Sequence, residues 1–178
     1  VYVLDSELKE IGSILRLAEG ERIYSARFMG ETGYFVTYRE TDPLFSVDFS
    51  QPENPRIIGE LKIPGFSEYL HAYGDGLLLG IGYDDSTVPR QIKMSMFDIS
   101  DPTNVKEKSL KVIAGATLSE AISNYRAVLA SPEKNLIGFS SGDYSNTKYN
   151  VYSYDGSFKE VTDFDLGGQV FGSRGLYI

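Results

Sequence analysis

One strand–turn–strand motif occurs twice in the chain, and this repeat constrains the fold more than any other feature. Residues 44–63 read LFSVDFSQPENPRIIGELKI, and residues 94–112 read MSMFDISDPTNVKEKSLKV. The two copies match at four positions of the motif: Asp48 with Asp98, Ser50 with Ser100, Pro52 with Pro102 and Asn54 with Asn104. A chain that repeats one hairpin in this way is expected to be built from similar units in series.

The residue types at the matching positions predict a turn. An Asp or Ser side chain can accept hydrogen bonds from backbone amides two residues ahead and so hold the turn. Pro fixes φ and has no N–H group, so the first strand must stop before it. The alternating run IIGELKI at 57–63 then restarts the period of two that is typical of a strand.

Two shorter copies extend the pattern to both ends of the chain. VYVLDSELKEIGSI at 1–14 has Asp5 at the matching position, and YNVYSYDGSFKEVTDFDL at 149–166 has Asp155, with Asp-Gly as its turn. The four Asp residues are spaced 43, 50 and 57 residues apart.

A second repeated element lies between these hairpins. Residues 23–38, 69–83 and 125–139 each read as two short strands around a tight connection. Together the two elements predict a unit of four antiparallel strands, which is typical of a β-propeller blade. One blade cannot bury both of its faces alone, but neighbouring blades cover them by stacking.

The predicted organisation is an all-β, partial β-propeller that occupies the whole chain as one domain. Its parts are the outer strands of a blade at 1–16, three blades at 22–64, 67–113 and 121–167, and the first strand of a further blade at 170–178.

A weak helical signal occurs in ATLSEAISNYRAVL at 116–129, where Ser119 would cap about two turns. The repeat favours a loop followed by a strand at 125–130 instead. Residues 84–92 and 140–148 read as loops.

Composition excludes several classes of function. The 178 residues carry a net charge of −8, and the basic residues are scattered, which argues against nucleic acid as a partner. Cysteine is absent, so there is neither a disulfide framework nor a thiolate site. No apolar run approaches the length of a membrane-spanning helix.

Residues 23–82, from IYSARFMGETGYFVTY to GDGLLLGIG, resemble secreted bacterial and archaeal proteins that have a C-terminal β-propeller domain distantly similar to WD40 propellers. FSVDFSQPENPRIIGEL at 45–61 also resembles the LVIVD repeat of bacterial surface propellers. The resemblance implies a propeller longer than this chain and an extracellular or cell-surface location. It implies no established reaction, and SRGLYI at 173–178 resembles the inner strand of a next blade.

Candidate ligand-binding residues are those that the blade order places near the central channel. His71, the single histidine, and Arg27 fall on predicted inner strands, as does Arg126, while Arg174 precedes the last one. These cations could hold an anion. The alternatives are a structural histidine and arginines that pair with Asp or Glu of adjacent blades.

No metal or cofactor is predicted. Asp75, Asp84 and Asp85 supply carboxylates suited to Ca²⁺, but they lack the spacing of a calcium loop, which favours solvated loop charges. The glycines of GDGLLLGIG at 74–82 lack the following helix and lysine of a nucleotide-binding loop. No nucleophile motif occurs.

Three classes of function are compatible with the sequence. The first is a non-enzymatic exported or cell-surface binding or scaffold module whose ligand is a protein or a saccharide. The second is a propeller enzyme, such as a hydrolase or lyase acting on saccharides, with its site at the channel mouth. The third is a purely structural repeat. An open arc of blades also predicts self-association of the chain through its uncovered ends.

Overall fold

A computed structural model describes residues 1–38, 42–168 and 172–176. Within these ranges the chain is all-β and contains no α-helix. An N-terminal hairpin consists of β1 (Tyr2–Leu4) and β2 (Glu10–Ser13). The first sheet consists of β3 (Arg22–Met29), β4 (Thr32–Tyr38), β5 (Asp42–Asp48) and β6 (Arg56–Ile63). The second consists of β7 (Phe66–Ala72), β8 (Leu77–Asp84), β9 (Gln91–Asp98) and β10 (Lys106–Val112). The third consists of β11 (Leu129–Ser131), β12 (Leu136–Gly142), β13 (Thr147–Tyr154) and β14 (Phe158–Asp165).

Each of the three sheets is a four-stranded antiparallel meander, in which every strand pairs with its neighbours in sequence. The sheets are stacked as blades of a partial β-propeller. The first strands of the first two blades are in contact. The hydroxyl of Ser25 on β3 donates to the backbone carbonyl of Ser67 on β7 at 2.7 Å. The predicted fold class is therefore confirmed.

Two layers of hydrophobic side chains form the core between the three blades, and a third cluster packs Phe35, Phe45 and Val47 of the first blade against Val1 and Ile14 beside the N-terminal hairpin. Residues of the first layer join the first and second blades, including Tyr34, Val36, Leu44, Phe66, Leu70 and Leu78. Residues of the second layer join the second and third blades, including Leu79, Ile81, Met94, Ile137, Phe139 and Tyr152. The second blade is covered on both faces, so the middle of β8 and β9 is buried almost continuously.

The Pro-containing turns of the repeat also join consecutive blades. The outer strand of each outer hairpin carries a β-bulge, at which Gly12 and Gly59 occupy equivalent positions. A Cβ atom on Gly59 would lie 2.7 Å from the carbonyl oxygen of Pro102, and one on Gly12 would collide with that of Pro52. Each turn therefore sits directly on the glycine of the preceding outer strand.

The connection between the second and third blades differs from the prediction. Residues 125–130 were predicted as a strand, but 3₁₀ turns form at Glu120–Ile122 and Tyr125–Ala127, and β11 begins only at Leu129. The Ser119 side chain accepts from the N–H of Ala121 at 3.1 Å, so the capping role of this residue is confirmed. Local capping and the burial of Ala121 and Ala127 hold this segment in turns.

The last predicted strand, 170–178, is described only at 172–176, and these residues form no strand. The remainder of that range lies outside the described residues. The predicted loop at 140–148 is shorter than expected, because β12 continues to Gly142 and β13 begins at Thr147.

Candidate functional site

Arg27, Tyr69 and His71 form a small polar cluster where the inner strands of the first two blades meet. The Tyr69 hydroxyl lies 2.6 Å from Nδ1 of His71. Burial and then the positive charge of Arg27 lower the pKa of His71, and burial raises the pKa of Tyr69. Both rings are therefore neutral at pH 7. We assign the phenol as the donor to Nδ1, which leaves the imidazole proton on Nε2.

The other two predicted cations lie on different elements. Arg126 is exposed on a 3₁₀ turn rather than on an inner strand, and its guanidinium lies 5.0 Å from the ring centroid of Tyr125. Arg174 is exposed in the segment 172–176. The structure thus brings Arg27 to His71 and places Arg126 against its own neighbour in sequence.

The three carboxylates considered for Ca²⁺ do not form one group. Asp75 precedes β8 and Asp84 ends it, so the length of the strand, about 20 Å, separates them. Asp84 accepts from the Ser86 hydroxyl, and Asp85 pairs with Arg90 at 2.6 Å. Among the described residues no group of three or more His, Cys, Asp or Glu side chains is suited to a metal ion.

A cavity of about 440 Å³ between the second and third blades is a feature that the sequence did not predict as a site. It combines hydroxyl, carboxylate, aromatic and aliphatic side chains. The hydroxyls belong to Ser119, Ser123, Ser140, Ser141 and Thr147. This volume and this mixture of groups are typical of small-molecule sites.

The connections at one end of the blades build this cavity. In an antiparallel meander, the loop between the second and third strands lies at the same end as the link to the next blade. The loop 143–146 and the link 113–128 are therefore adjacent, and both contribute lining residues. A bridge between Leu118 and Gly142 joins them.

Two tyrosines, one from each blade, stand at the cavity. Tyr83 comes from β8, where its ring lies 5.7 Å from that of Phe66, and burial followed by the charge of Glu68 raises its pKa. Tyr144 comes from the loop 143–146 and is 77% exposed. Tyr144 is close enough to affect the titration of Tyr83.

The two carboxylates of the cavity already accept backbone hydrogen bonds. Asp143 Oδ1 accepts the N–H of Ser145 at 2.7 Å, and the Ser145 hydroxyl and backbone bonds lower the pKa of Asp143. Glu120 accepts the N–H of Gly172 at 2.5 Å and that of Ser173 at 2.8 Å. Both groups therefore organise the walls of the cavity.

Cations and aromatic rings continue from the cavity toward the first blade. The Arg90 guanidinium lies 5.4 Å from the ring centroid of Phe66, which in turn lies 5.0 Å from that of Tyr24. Arg22 lies over Tyr24 at 5.7 Å. Burial raises the pKa of Glu68, and the charges of Arg22 and Arg90 oppose this change.

Sequence reasoning read residues 140–148, SSGDYSNTK, only as a loop. The signal that was available is local: an Asp that folds the loop back, followed at once by an aromatic residue. Such an arrangement fixes the loop backbone and leaves the aromatic side chain exposed. The partner segments 118–123 and Tyr83 are distant in sequence, so their approach carried no local signal.

Among the described residues, no helix is long and apolar enough to cross a membrane. A family model described as Beta propeller domain matches residues 1–171. An uncharacterised protein of Archaeoglobus fulgidus is 42% identical over 161 residues, which are 90% of this chain and 25% of that protein. An uncharacterised protein of Methanocaldococcus jannaschii is 48% identical over 129 residues, which are 72% of this chain and 20% of that protein. The chain thus spans a quarter or less of the length of these two relatives, and with its stacked meanders and family match it belongs to the Beta propeller domain family.

Proposed function

We propose that this chain is a non-enzymatic binding module of an exported or cell-surface protein, and that it holds its ligand in the cavity between the second and third blades. The observation that carries the proposal is the cavity of about 440 Å³ itself, with convergent hydroxyls and two tyrosines from separate blades. The exported or surface location rests on the resemblance to secreted propellers and to LVIVD-type surface repeats.

The state of the cavity carboxylates supports binding rather than catalysis. A glycoside hydrolase of the usual kind needs one carboxyl group with a raised pKa and a second that is ionised. The pKa of Asp143 is lowered, and Glu120 is engaged by the backbone of 172–173. Neither arrangement is that of a general acid.

A saccharide hydrolase or lyase is the alternative, and one observation favours it. Glu68 has a pKa raised by burial, and it lies close enough to affect the titration of Tyr83, which lines the cavity. A carboxyl group in this condition is a candidate acid. Arg22 and Arg90 oppose the shift, so we rank this function second.

One experiment separates the two functions. The 178-residue chain is titrated with a mixed library of small molecules and short peptides while ¹H–¹⁵N spectra are recorded, and the compounds are then recovered for mass spectrometry. A binding module shifts the amide signals of residues 118–123 and 143–147 and returns the compound unchanged. A chemically altered compound identifies an enzyme, and a library with no effect on these signals contradicts the proposed site.

A further inference from the structure

We infer that the cavity between the second and third blades takes a neutral saccharide chain. This inference rests on the proposed binding function and names the class of ligand. Three observations carry it: the hydroxyl-rich wall, the paired tyrosines at the cavity, and the continuation of the cavity into a second one.

The wall matches the chemistry of a sugar. A serine or threonine hydroxyl both donates and accepts hydrogen bonds, as a sugar hydroxyl does, so the two can pair in either direction. Ser140 and Ser141 are buried in the cavity wall, and Asn150 Nδ2 donates to the Ser141 hydroxyl oxygen at 2.9 Å. That bond occupies the acceptor side of Ser141 and fixes the position of its oxygen.

The tyrosines supply the apolar part of the site. A tyrosine has a flat apolar ring and a polar hydroxyl, which suits a pyranose ring with apolar C–H faces and a polar rim. The Asp143 turn fixes the loop that carries Tyr144, because Asp143 Oδ1 accepts from both Ser145 and Asn146. A loop backbone fixed before binding loses little conformational entropy when the ligand arrives.

Charge argues against the main alternatives. No Lys, Arg or His residue lines this cavity among the described residues, so an anionic ligand finds no cationic partner there. An amine would be attracted to Glu120 and Asp143, but backbone N–H groups already compensate much of their charge. Only Leu118 and Ile122 are aliphatic, which leaves few pockets for the side chains of a peptide.

A chain of sugars fits better than a single one because the cavity is continued. A second cavity of about 380 Å³ shares Ser141 and Asp143 with the first. Its charged lining residues are of both signs, namely Lys111, Lys148, Asp143, Glu160 and Asp163, and Lys148 forms an ion pair with Asp163 at 2.6 Å. The two cavities therefore adjoin at Ser141 and Asp143.

Saturation-transfer NMR on the 178-residue chain tests the class of ligand. The probes are cellotriose, maltotriose, mannotriose and triacetylchitotriose, with trigalacturonate as the acidic sugar and spermidine as the cation. We expect at least one neutral trisaccharide to bind and the other two classes to fail. The Tyr144→Ala variant should weaken that binding about tenfold or more, since a tyrosine anchor is removed. The Ser123→Ala variant should weaken it about threefold through one lost hydrogen bond.

Tyr125→Ala is the matched control, because Tyr125 is an exposed tyrosine of the neighbouring link 113–128 that does not line the cavity. It should leave the affinity unchanged within about twofold. Sugar binding that survives Tyr144→Ala overturns the location. Binding of only trigalacturonate, spermidine or a library peptide at the cavity overturns the neutral-saccharide class and leaves the binding module standing. Failure of every compound at the cavity overturns both proposals.

Discussion

The Asp of the repeat shows how one side chain fixes a turn. Asp5, Asp48 and Asp98 each accept the N–H of the residue two positions ahead: Glu7 at 2.8 Å, Ser50 at 2.9 Å and Ser100 at 3.1 Å. Asp48 also accepts from the guanidinium of Arg56. The sequence prediction that the side chain at this position holds the turn is confirmed at three of the four sites, whereas the Asp155 carboxylate lies near Lys159 instead.

The Asp48→Ala variant should lower the melting temperature by a few degrees at pH 7 and by almost nothing near pH 2. Hydrogen bonds from Ser50, followed by Arg56, lower the pKa of Asp48 to about 2, below the unfolded value of about 3.9. The stability that this carboxylate contributes is therefore complete above the unfolded pKa and is lost as the pH falls toward 2. Thermal melts of both proteins between pH 2 and pH 7 measure the difference.

Asp155→Ala is the control for this prediction. Asp155 holds the matching position in the shorter copy, where its carboxylate is exposed and lies 3.8 Å from Lys159. An exposed pair at this distance contributes little. An equal difference in melting temperature at pH 2 and pH 7 for Asp48→Ala would show that the charge of this carboxylate does not stabilise the turn.

At the scale of elements, the size of one residue on each outer strand matches the length of the turn that packs on it from the next blade. Gly12 precedes the blade with the Pro52 turn, and Gly59 precedes the blade with the Pro102 turn. The third blade has the tighter Asp155-Gly156 turn, and the equivalent position on the preceding strand is Ser109. A long, Pro-containing turn thus packs against a glycine, whereas the short Asp-Gly turn corresponds to a position that carries a side chain.

The Gly59→Ala variant should destabilise the fold by about 1–3 kcal/mol, because the new Cβ atom overpacks the junction between blades. It would lie 2.5 Å from Ser46 Oγ and 2.7 Å from the Pro102 carbonyl oxygen, and the latter is backbone that cannot rotate away. Urea denaturation gives the free energy of unfolding.

Ser109→Ala, at the equivalent position in the next blade, should change stability by about 0.5 kcal/mol or less. Similar losses for the two variants would contradict the matching of glycines with long turns, since only one of the sites faces a Pro-containing turn.

At the scale of the whole molecule, apolar side chains are exposed on the two outermost β-elements described. Tyr2 and Leu4 are exposed on the N-terminal hairpin, and Val161 and Phe164 on β14. Adjacent blades within the chain cover equivalent faces with side chains of the two core layers. An uncovered face of this kind favours contact with a similar face.

We expect the 178-residue chain to self-associate through these faces, with a dimer as the simplest form. Sedimentation velocity at micromolar concentration should show a species larger than the monomer, and Phe164→Asp should shift it toward the monomer. Val88→Asp, at a loop position that is 99% exposed, should have no effect. A clean monomer at high concentration would contradict self-association.

Local sequence predicted most of the elements because their signals are local. Alternation with a period of two, the Asp and Pro of the turns and the Gly-rich connections gave the hairpins of the first two blades. The prediction of a strand at 125–130 was wrong for a local reason. Asn124 caps the 3₁₀ turn Tyr125–Ala127, and the burial of Ala127 holds that turn in place.

What the sequence determined by itself is the unit, a four-stranded meander closed by turns whose hydrogen bonds join near neighbours. Tertiary structure alone decided which side chains are buried between the stacked blades and which cavities form there. Lys93 follows an alternating pattern that would leave it exposed, yet it is buried between blades and donates to the Pro64 carbonyl at 2.5 Å. The cavity likewise joins Tyr83 to the segments 118–123 and 140–147. These contacts depend on how one blade packs against the next, so they join residues that are distant in the sequence and leave no local signal.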